Sequence, residues 1–414
     1  MMPEMKWTEQ EEMMEDRYEV ASQDQQHVMG TYARQPLHLV RGEGMYVYDA
    51  DDIAYLDFTS GIAVSSLGHC HPALVNAVTT QANTLWHTSN LYLTTPQANL
   101  AAKLTEASGF DRVFFANSGA EANEAAIKLA RRYSKKIYGS HKGEIITFTH
   151  AFHGRTIATV TATPQVKYQE GFGPLPSGFR YVEEFTLDAV KAAISAKTCA
   201  VMIEPIQGEG GVRPVSSEFL LALRQLCDMH GLLLIFDEVQ TGAGRTGSWL
   251  AWQRVGVKPD ILTMAKGLGG GLPIGAMMAD AVIASVFTPG THGSTFGGNP
   301  IAASAAVAVI DTIMAPGFLE QVRRRGQQLY GQLQDLALRF PDSVQEVRGM
   351  GLMWGVVLQG IDAGHVMNAC REQGLLVLTA GGNTIRLLPP LIVSSTDIEK
   401  AISILGNVIK EAIG

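Results

Sequence analysis

Between about residues 72 and 290 the chain alternates short apolar runs with amphipathic stretches of helical period, and this pattern limits the fold more than any other feature. An apolar run of four to six residues suits a strand buried on both faces of a parallel sheet. Parallel neighbours need long crossovers, which the amphipathic stretches supply as helices. The pattern predicts strands over 112–115, 144–148, 200–204, 232–236, 261–264 and 275–278, with helices over 121–133 and 217–230 between them. Shorter strand-and-turn patterns come first, at 37–40, 45–49 and 54–58. After Pro316-Gly317 a second unit is expected: a helix over 318–340, strands near 347 and over 352–358, a helix over 363–373, strands over 375–378 and 384–388, and a last helix from Ser395. A chain of 414 residues exceeds one small core. The expected organisation is an α/β fold: an N-terminal extension (1–30), a large domain with a mainly parallel central sheet (72–315), and a small α/β domain built from 31–71 and 316–414.

Charge and cysteine usage remove several classes of function. The formal net charge is −8 and no block of lysine or arginine occurs, so nucleic acid and anionic membrane are not expected partners. Cys70, Cys199, Cys227 and Cys370 are scattered without a CxxC pair, the pattern of reduced thiols in a cytoplasmic protein. The first 26 or so residues are rich in Met, Glu and Gln and lack a basic segment followed by an apolar run, so no signal peptide is expected there. No apolar stretch approaches the roughly 20 residues of a membrane span, and a soluble protein is expected.

The chemistry is carried by a lysine and an acid at the ends of two apolar runs. Lys266 follows Ile261-Leu262-Thr263-Met264-Ala265 and precedes the glycine-rich Gly267–Gly271; Asp237 ends Leu232-Leu233-Leu234-Ile235-Phe236. A lysine held in an apolar interior loses solvation, its pKa falls, and it becomes an amine able to form a Schiff base with an aldehyde cofactor. A buried carboxylate beside a pyridine nitrogen keeps that nitrogen protonated, so the pair suits pyridoxal phosphate. A phosphate site is predicted where Val113–Ala116 runs through Asn117-Ser118-Gly119-Ala120 into a helix, because free N–H groups and the positive dipole end collect there. Taken alone, Ser118 serves equally well as a plain helix cap. Arg155 and Arg386 stand in otherwise uncharged surroundings and suit carboxylate binding.

Three other strings invite readings that their context rejects. An apolar run ending in Asp237-Glu238 resembles the magnesium-binding strand of P-loop ATPases, but G-x-x-x-x-G-K-[ST] is absent. Gly242-Ala243-Gly244-Arg245-Thr246-Gly247 satisfies G-x-G-x-x-G, yet it is displaced from the strand end and opens no helix pattern. His69-Cys70-His71 has no further ligands at metal-site spacing and reads as a turn before Pro72.

Several strings in order then identify a family. Gly68-His69-Cys70-His71-Pro72, Asn117–Asn123, Phe152–Thr156, Glu204-Pro205-Ile206-Gln207-Gly208-Glu209-Gly210-Gly211, Asp237-Glu238-Val239-Gln240, Ala265–Gly271 and Gly293-Ser294-Thr295-Phe296-Gly297-Gly298-Asn299-Pro300 together resemble the class III (ω-amino) aminotransferases of pyridoxal-phosphate fold type I. The resemblance runs from about Thr31 to the C-terminus. It implies that Lys266 holds the cofactor covalently and moves the substrate proton, and that Asp237 pairs with the ring nitrogen. Gln240 is expected to contact the ring oxygen, and Phe152 and Val239 to cover the two ring faces. Gly119 and Ala120, with Ser118 nearby, are expected to bind the phosphate, and Thr295 to reach it across a homodimer interface. On the substrate side the family implies Arg155 for the distal carboxylate, Ser294 as a contact, and Arg386 for the α-carboxylate of glutamate and 2-oxoglutarate. Glu209 is expected to neutralise Arg386 while the ω-amino donor is bound. Ile62 stands where ornithine-specific members carry tyrosine, which implies N-acetylornithine as donor in arginine biosynthesis, with succinylornithine and N-succinyl-diaminopimelate satisfying the same reasoning.

Overall fold

The computed structural model describes residues 19–139 and 141–413. Its centre is a seven-stranded sheet in the order Arg112–Ala116, Gly275–Ala279, Ile261–Met264, Leu233–Asp237, Thr198–Ile203, Glu144–Phe148 and Phe179–Val182. Only Gly275–Ala279 runs antiparallel to its neighbours; the others are parallel, as the crossover pattern requires. The middle strands Thr198–Ile203, Leu233–Asp237 and Ile261–Met264 are buried at every position. That is why they read as unbroken apolar runs rather than as alternating ones. The edge strand Phe179–Val182 has only one buried residue and gave no such run.

Helix Gly119–Tyr138 is longer than the 121–133 expected from periodicity. It starts at the N-cap Ser118, whose hydroxyl accepts from the Glu121 N–H, and ends at Gly139. Ala122, Ala125, Ala126 and Ala130 are fully buried on its sheet face, and their small side chains let the helix lie close over the sheet. Asp237 and Thr263 are paired in register, so the acid and the turn carrying Lys266 emerge side by side from the C-terminal edge. In open α/β sheets this edge is where ligands bind.

The terminal segments build two smaller sheets. Leu39–Glu43, Tyr46–Asp49, Ala54–Asp57 and Leu375–Leu376 form one; Val344–Met350, Met353–Leu358, Thr384–Leu387 and Leu378–Ala380 form the other. The strand expected over 375–378 is therefore two pieces. Leu375 and Leu376 pair in parallel with Leu56 and Asp57, whereas Leu378–Ala380 pairs antiparallel with residues 384–386. Each piece satisfies its backbone groups in a different sheet, and a linear apolar pattern does not contain that division. Helices Phe318–Arg339, Ala363–Glu372 and Ser395–Ile413 pack on these sheets through Leu329, Leu333, Val366, Ile398 and Leu405.

Candidate active site

A cavity of about 410 Å³ opens at the C-terminal edge of the large sheet. Ser118, Gly119, Ala120, Phe152, Arg155, Asp237, Val239, Gln240 and Lys266 all line it, although they come from segments spread over nearly 150 residues of sequence. Gly119 and Ala120 are the first two helical residues after the cap, so their N–H groups have no carbonyl four residues back to pair with. The approach there is close: a Cβ on Gly119 would lie 2.7 Å from Val239 Cγ1.

Lys266 begins a short 3-10 turn with a left-handed backbone, φ 43°, a conformation that costs a non-glycine residue about 1–2 kcal/mol. Burial holds its ammonium below the usual lysine range. Glu209, Asp237 and Glu204 oppose the shift from a distance, and Arg386 adds to it. A lysine of lowered pKa that lines a cavity is an available nucleophilic amine.

Asp237 is held on both oxygens. Its Oδ1 accepts from the Val239 N–H at 3.0 Å; Oδ2 accepts from Asn123 Nδ2 at 2.7 Å and meets His153 Nδ1 at 2.8 Å. Asn123 is fixed in turn by Thr263 Oγ1, which donates to its Oδ1 at 2.7 Å, and by the His153 carbonyl. His153 is wholly buried. Burial alone would lower its pKa, but Asp237, with Glu204 behind, raises it above the ordinary histidine value. Burial pushes the Glu204 carboxyl up to about 7, opposed by the charge of His153 and reinforced by that of Asp237. Its two oxygens accept from the Phe152 and Gly208 N–H groups.

Beyond Gln240 lies a buried ion pair. Arg386 Nη1 donates to Glu209 Oε1 at 2.6 Å and to Gln240 Oε1 at 3.2 Å, with the guanidinium side chain only 3% exposed. Despite burial, Arg386 holds the Glu209 carboxyl below its usual range. Arg155 is exposed at the mouth; its Cζ lies 4.1 Å from the Tyr168 ring centroid and 5.6 Å from that of Phe152. Ser294 stands one residue further out, its hydroxyl 3.3 Å from Asn117 Nδ2. Thr295 and Ile62 are exposed and do not line the cavity of the single chain.

Asn123, His153, Glu204 and Val64 also line the cavity without having been assigned a role from sequence. The first three lay inside strings already marked (117–123, 152–156 and 204–211), so a signal was present. Their roles depend on which side chains meet across the sheet. Val64 follows Ser60-Gly61-Ile62-Ala63, a turn whose four residues all have positive φ, between 48° and 66°.

The pocket can be tested for fit to pyridoxal phosphate on its own donor set. A helix start with free N–H groups, a buried three-times-bonded carboxylate and a cavity lysine of lowered pKa match, respectively, the phosphate, ring nitrogen and aldehyde of that cofactor. Fold and site define a pyridoxal-phosphate enzyme of the aminotransferase type. The chain belongs to the class-III aminotransferase family, whose model matches residues 29–409. It is 52% identical over 373 residues to an acetylornithine aminotransferase of Agrobacterium fabrum, covering 90% of this chain and 93% of that one. Among solved structures, an ornithine aminotransferase from Toxoplasma gondii superposes with a TM-score of 0.92 at 32% identity, covering 98% of this chain and 99% of that chain. An N-acetylornithine aminotransferase from Stenotrophomonas maltophilia gives 0.81 at 38% identity, covering 92% and 98%.

Proposed function

We propose that this enzyme moves the δ-amino group of N-acetylornithine to 2-oxoglutarate, yielding N-acetylglutamate semialdehyde and glutamate in a ping-pong cycle. The observation that carries the reading is the Arg386–Glu209 pair beside the cavity. A buried arginine needs a partner at every stage. Glu209 serves while the ω-amino donor is bound, and the α-carboxylate of 2-oxoglutarate or glutamate replaces it in the second half. Support for the acyl donor comes from the relative named above and from Ile62, which offers no hydroxyl to a free α-ammonium.

Pyridoxal phosphate, when bound, supplies a ring that accepts the electron pair left as the C–H bond of the amine-bearing carbon breaks. The chain supplies the rest. Gly119 and Ala120 N–H groups, with Ser118, would hold the phosphate; Phe152 and Val239 would cover the ring faces and Gln240 would meet the ring oxygen. Asp237, held in place by Asn123, His153 and the Val239 N–H, would sit at the ring nitrogen. Lys266 Nζ takes the proton from the amine-bearing carbon, a role favoured by the burial that lowers its pKa. Arg155 grips the carboxylate distal to the reacting amine, with Ser294 alongside.

The same reading includes a homodimer in the cytoplasm. Exposed Trp86, Leu91, Tyr92, Leu93 and Phe296 form apolar surface on the segments next to Ser294 and Thr295, which favours burial against a second copy. Thr295 then reaches the phosphate of the neighbouring site. The chain divides into a large unit over 72–315 and a small one from 31–71 and 316–414. The test is a half-reaction screen of N-acetylornithine, ornithine, succinylornithine and 4-aminobutyrate, following the visible absorbance of the bound cofactor. N-Acetylornithine should convert fastest; a clear preference for ornithine or 4-aminobutyrate would reject the assignment.

A further inference from the structure

The turn that carries Ile62 and leads to Val64 is a turn of left-handed helix. Ser60, Gly61, Ile62 and Ala63 have φ of 48°, 59°, 66° and 63°, and only the glycine adopts this backbone without strain. Such a turn persists only where its surroundings determine it. Backbone bonds from Ile62 and Ala63 to the Thr59 carbonyl close the turn, and one carboxylate holds its start. Asp57 Oδ1 accepts from the Thr59 N–H at 2.7 Å, the Thr59 hydroxyl at 2.7 Å and the Ser60 N–H at 3.0 Å. Asp57 Oδ2 meets His69 Nε2 at 2.8 Å.

Both anchors are themselves fixed. The His69 backbone exchanges two hydrogen bonds with Gly44, at 2.8 and 2.9 Å. The Ser60 hydroxyl donates to the Leu388 carbonyl at 2.6 Å, two residues from Arg386 in sequence. Asp57 is also the acid whose charge acts on Arg245, a wholly buried arginine whose Nη1 donates to the Leu352 and Pro389 carbonyls. The far end of the segment packs against Gly267, the residue after the catalytic lysine. A Cβ on Gly267 would lie 2.4 Å from Ser66 Oγ and 3.4 Å from the Ala63 carbonyl oxygen. The segment 60–66 thus rests against the turn bearing Lys266, with Val64 in the cavity wall.

We propose that Asp57, clamped by His69, is a positioning residue for substrate choice: it holds the left-handed turn Ser60–Ala63 and so sets where Ile62 and Val64 stand relative to Lys266. Neither Asp57 nor His69 lines the cavity, so both act through the turn. This inference rests on the reading that Ile62 selects the acylated donor.

The test compares His69→Leu, which removes the clamp, with His69→Gln, whose side-chain amide can still donate to Asp57, and with Asp57→Asn. The first readout is amide hydrogen exchange over residues 59–66 in protein free of cofactor. The second is kcat/KM for N-acetylornithine and for ornithine, with the glutamate half-reaction as control. In His69→Leu the exchange should accelerate about tenfold, the scale of one lost charge-assisted hydrogen bond. Preference for N-acetylornithine should fall several-fold through KM, while the glutamate half-reaction stays within about twofold of the parent. His69→Gln should recover most of both. Unchanged exchange and unchanged preference in His69→Leu would overturn the inference. Ile62→Tyr separates it from the reading beneath. If that variant leaves donor preference unchanged, the assignment of Ile62 fails, and exchange alone then decides whether Asp57 holds the turn. Should Asp57→Asn fail to fold, the two His69 variants still decide.

Discussion

Replacing Glu209 by Gln removes one charge from the Arg386 pair and keeps its shape. The Nη1–Oε1 distance is 2.6 Å, and the two side chains are 3% and 21% exposed. A hydrogen bond between charged groups contributes about 1.5–3 kcal/mol, a neutral one about 0.5–1.5. The difference, roughly 1–1.5 kcal/mol, stays at the low end because Glu209 is one-fifth exposed and partly screened. A 2-oxoglutarate carboxylate that must displace residue 209 then meets a weaker competitor and binds about five- to tenfold more tightly. The donor half-reaction moves the other way, since Arg386 keeps an uncovered charge beside N-acetylornithine. Single-turnover measurements of both half-reactions, followed by cofactor absorbance, give the two numbers separately. Equal losses in both halves, or no gain in 2-oxoglutarate affinity, would refute the switch. Because the native Glu209 pKa lies below the ordinary glutamate value of 4.5, the stabilisation is fully present above that value and lost as pH falls through the lowered one. The switch should therefore be insensitive to pH across the neutral range.

Arg155→Met should reduce kcat/KM for N-acetylornithine about 10- to 100-fold, the scale of a lost bidentate carboxylate contact. The glutamate half-reaction should fall with it, because the γ-carboxylate of glutamate is also distal to its reacting amine; an unchanged glutamate half-reaction in single-turnover assays would remove Arg155 from this role. Gly119→Ala forces a methyl to within 2.7 Å of Val239 Cγ1 and should weaken cofactor binding by about 1–3 kcal/mol, read by titrating apo-protein with pyridoxal phosphate. Lys266→Met should melt higher than the parent when both lack cofactor. The native lysine pKa is depressed below 10.5, so the penalty is fully present below that lowered value and vanishes as pH rises to 10.5; the gap in melting temperature should close over the same window. His153→Gln should destabilise most below pH 6.5. The raised native pKa of His153 contributes stability that is complete there and is lost as pH rises through the raised value, which melting curves across pH will resolve.

The sequence by itself determined the elements that are dry on both sides. Strands Leu233–Asp237 and Ile261–Met264 are buried at every residue, so their apolar runs, and the acid and lysine that end or follow them, were legible. Local chemistry gave the cap Ser118 and the start of its helix, because cap, glycine and helix lie within a few residues. Elements whose burial depends on distant partners were not legible. Phe179–Val182 is an edge strand, and 375–378 divides between two sheets. Tertiary structure alone placed Asn123 and His153 on Asp237, from positions 114 and 84 residues away in sequence. The pairing of Arg386 with Glu209 was expected from the family resemblance, and the fold closes it across 177 residues. Tertiary structure alone wound Ser60–Ala63 left-handed, a backbone strained for residues with side chains and anchored from outside the turn by bonds from Ser60 to Asp57 and to the Leu388 carbonyl. Periodicity records which residues leave water. Only the assembled fold decides which buried polar groups find each other, since each must be paired and its partner can lie anywhere in the chain.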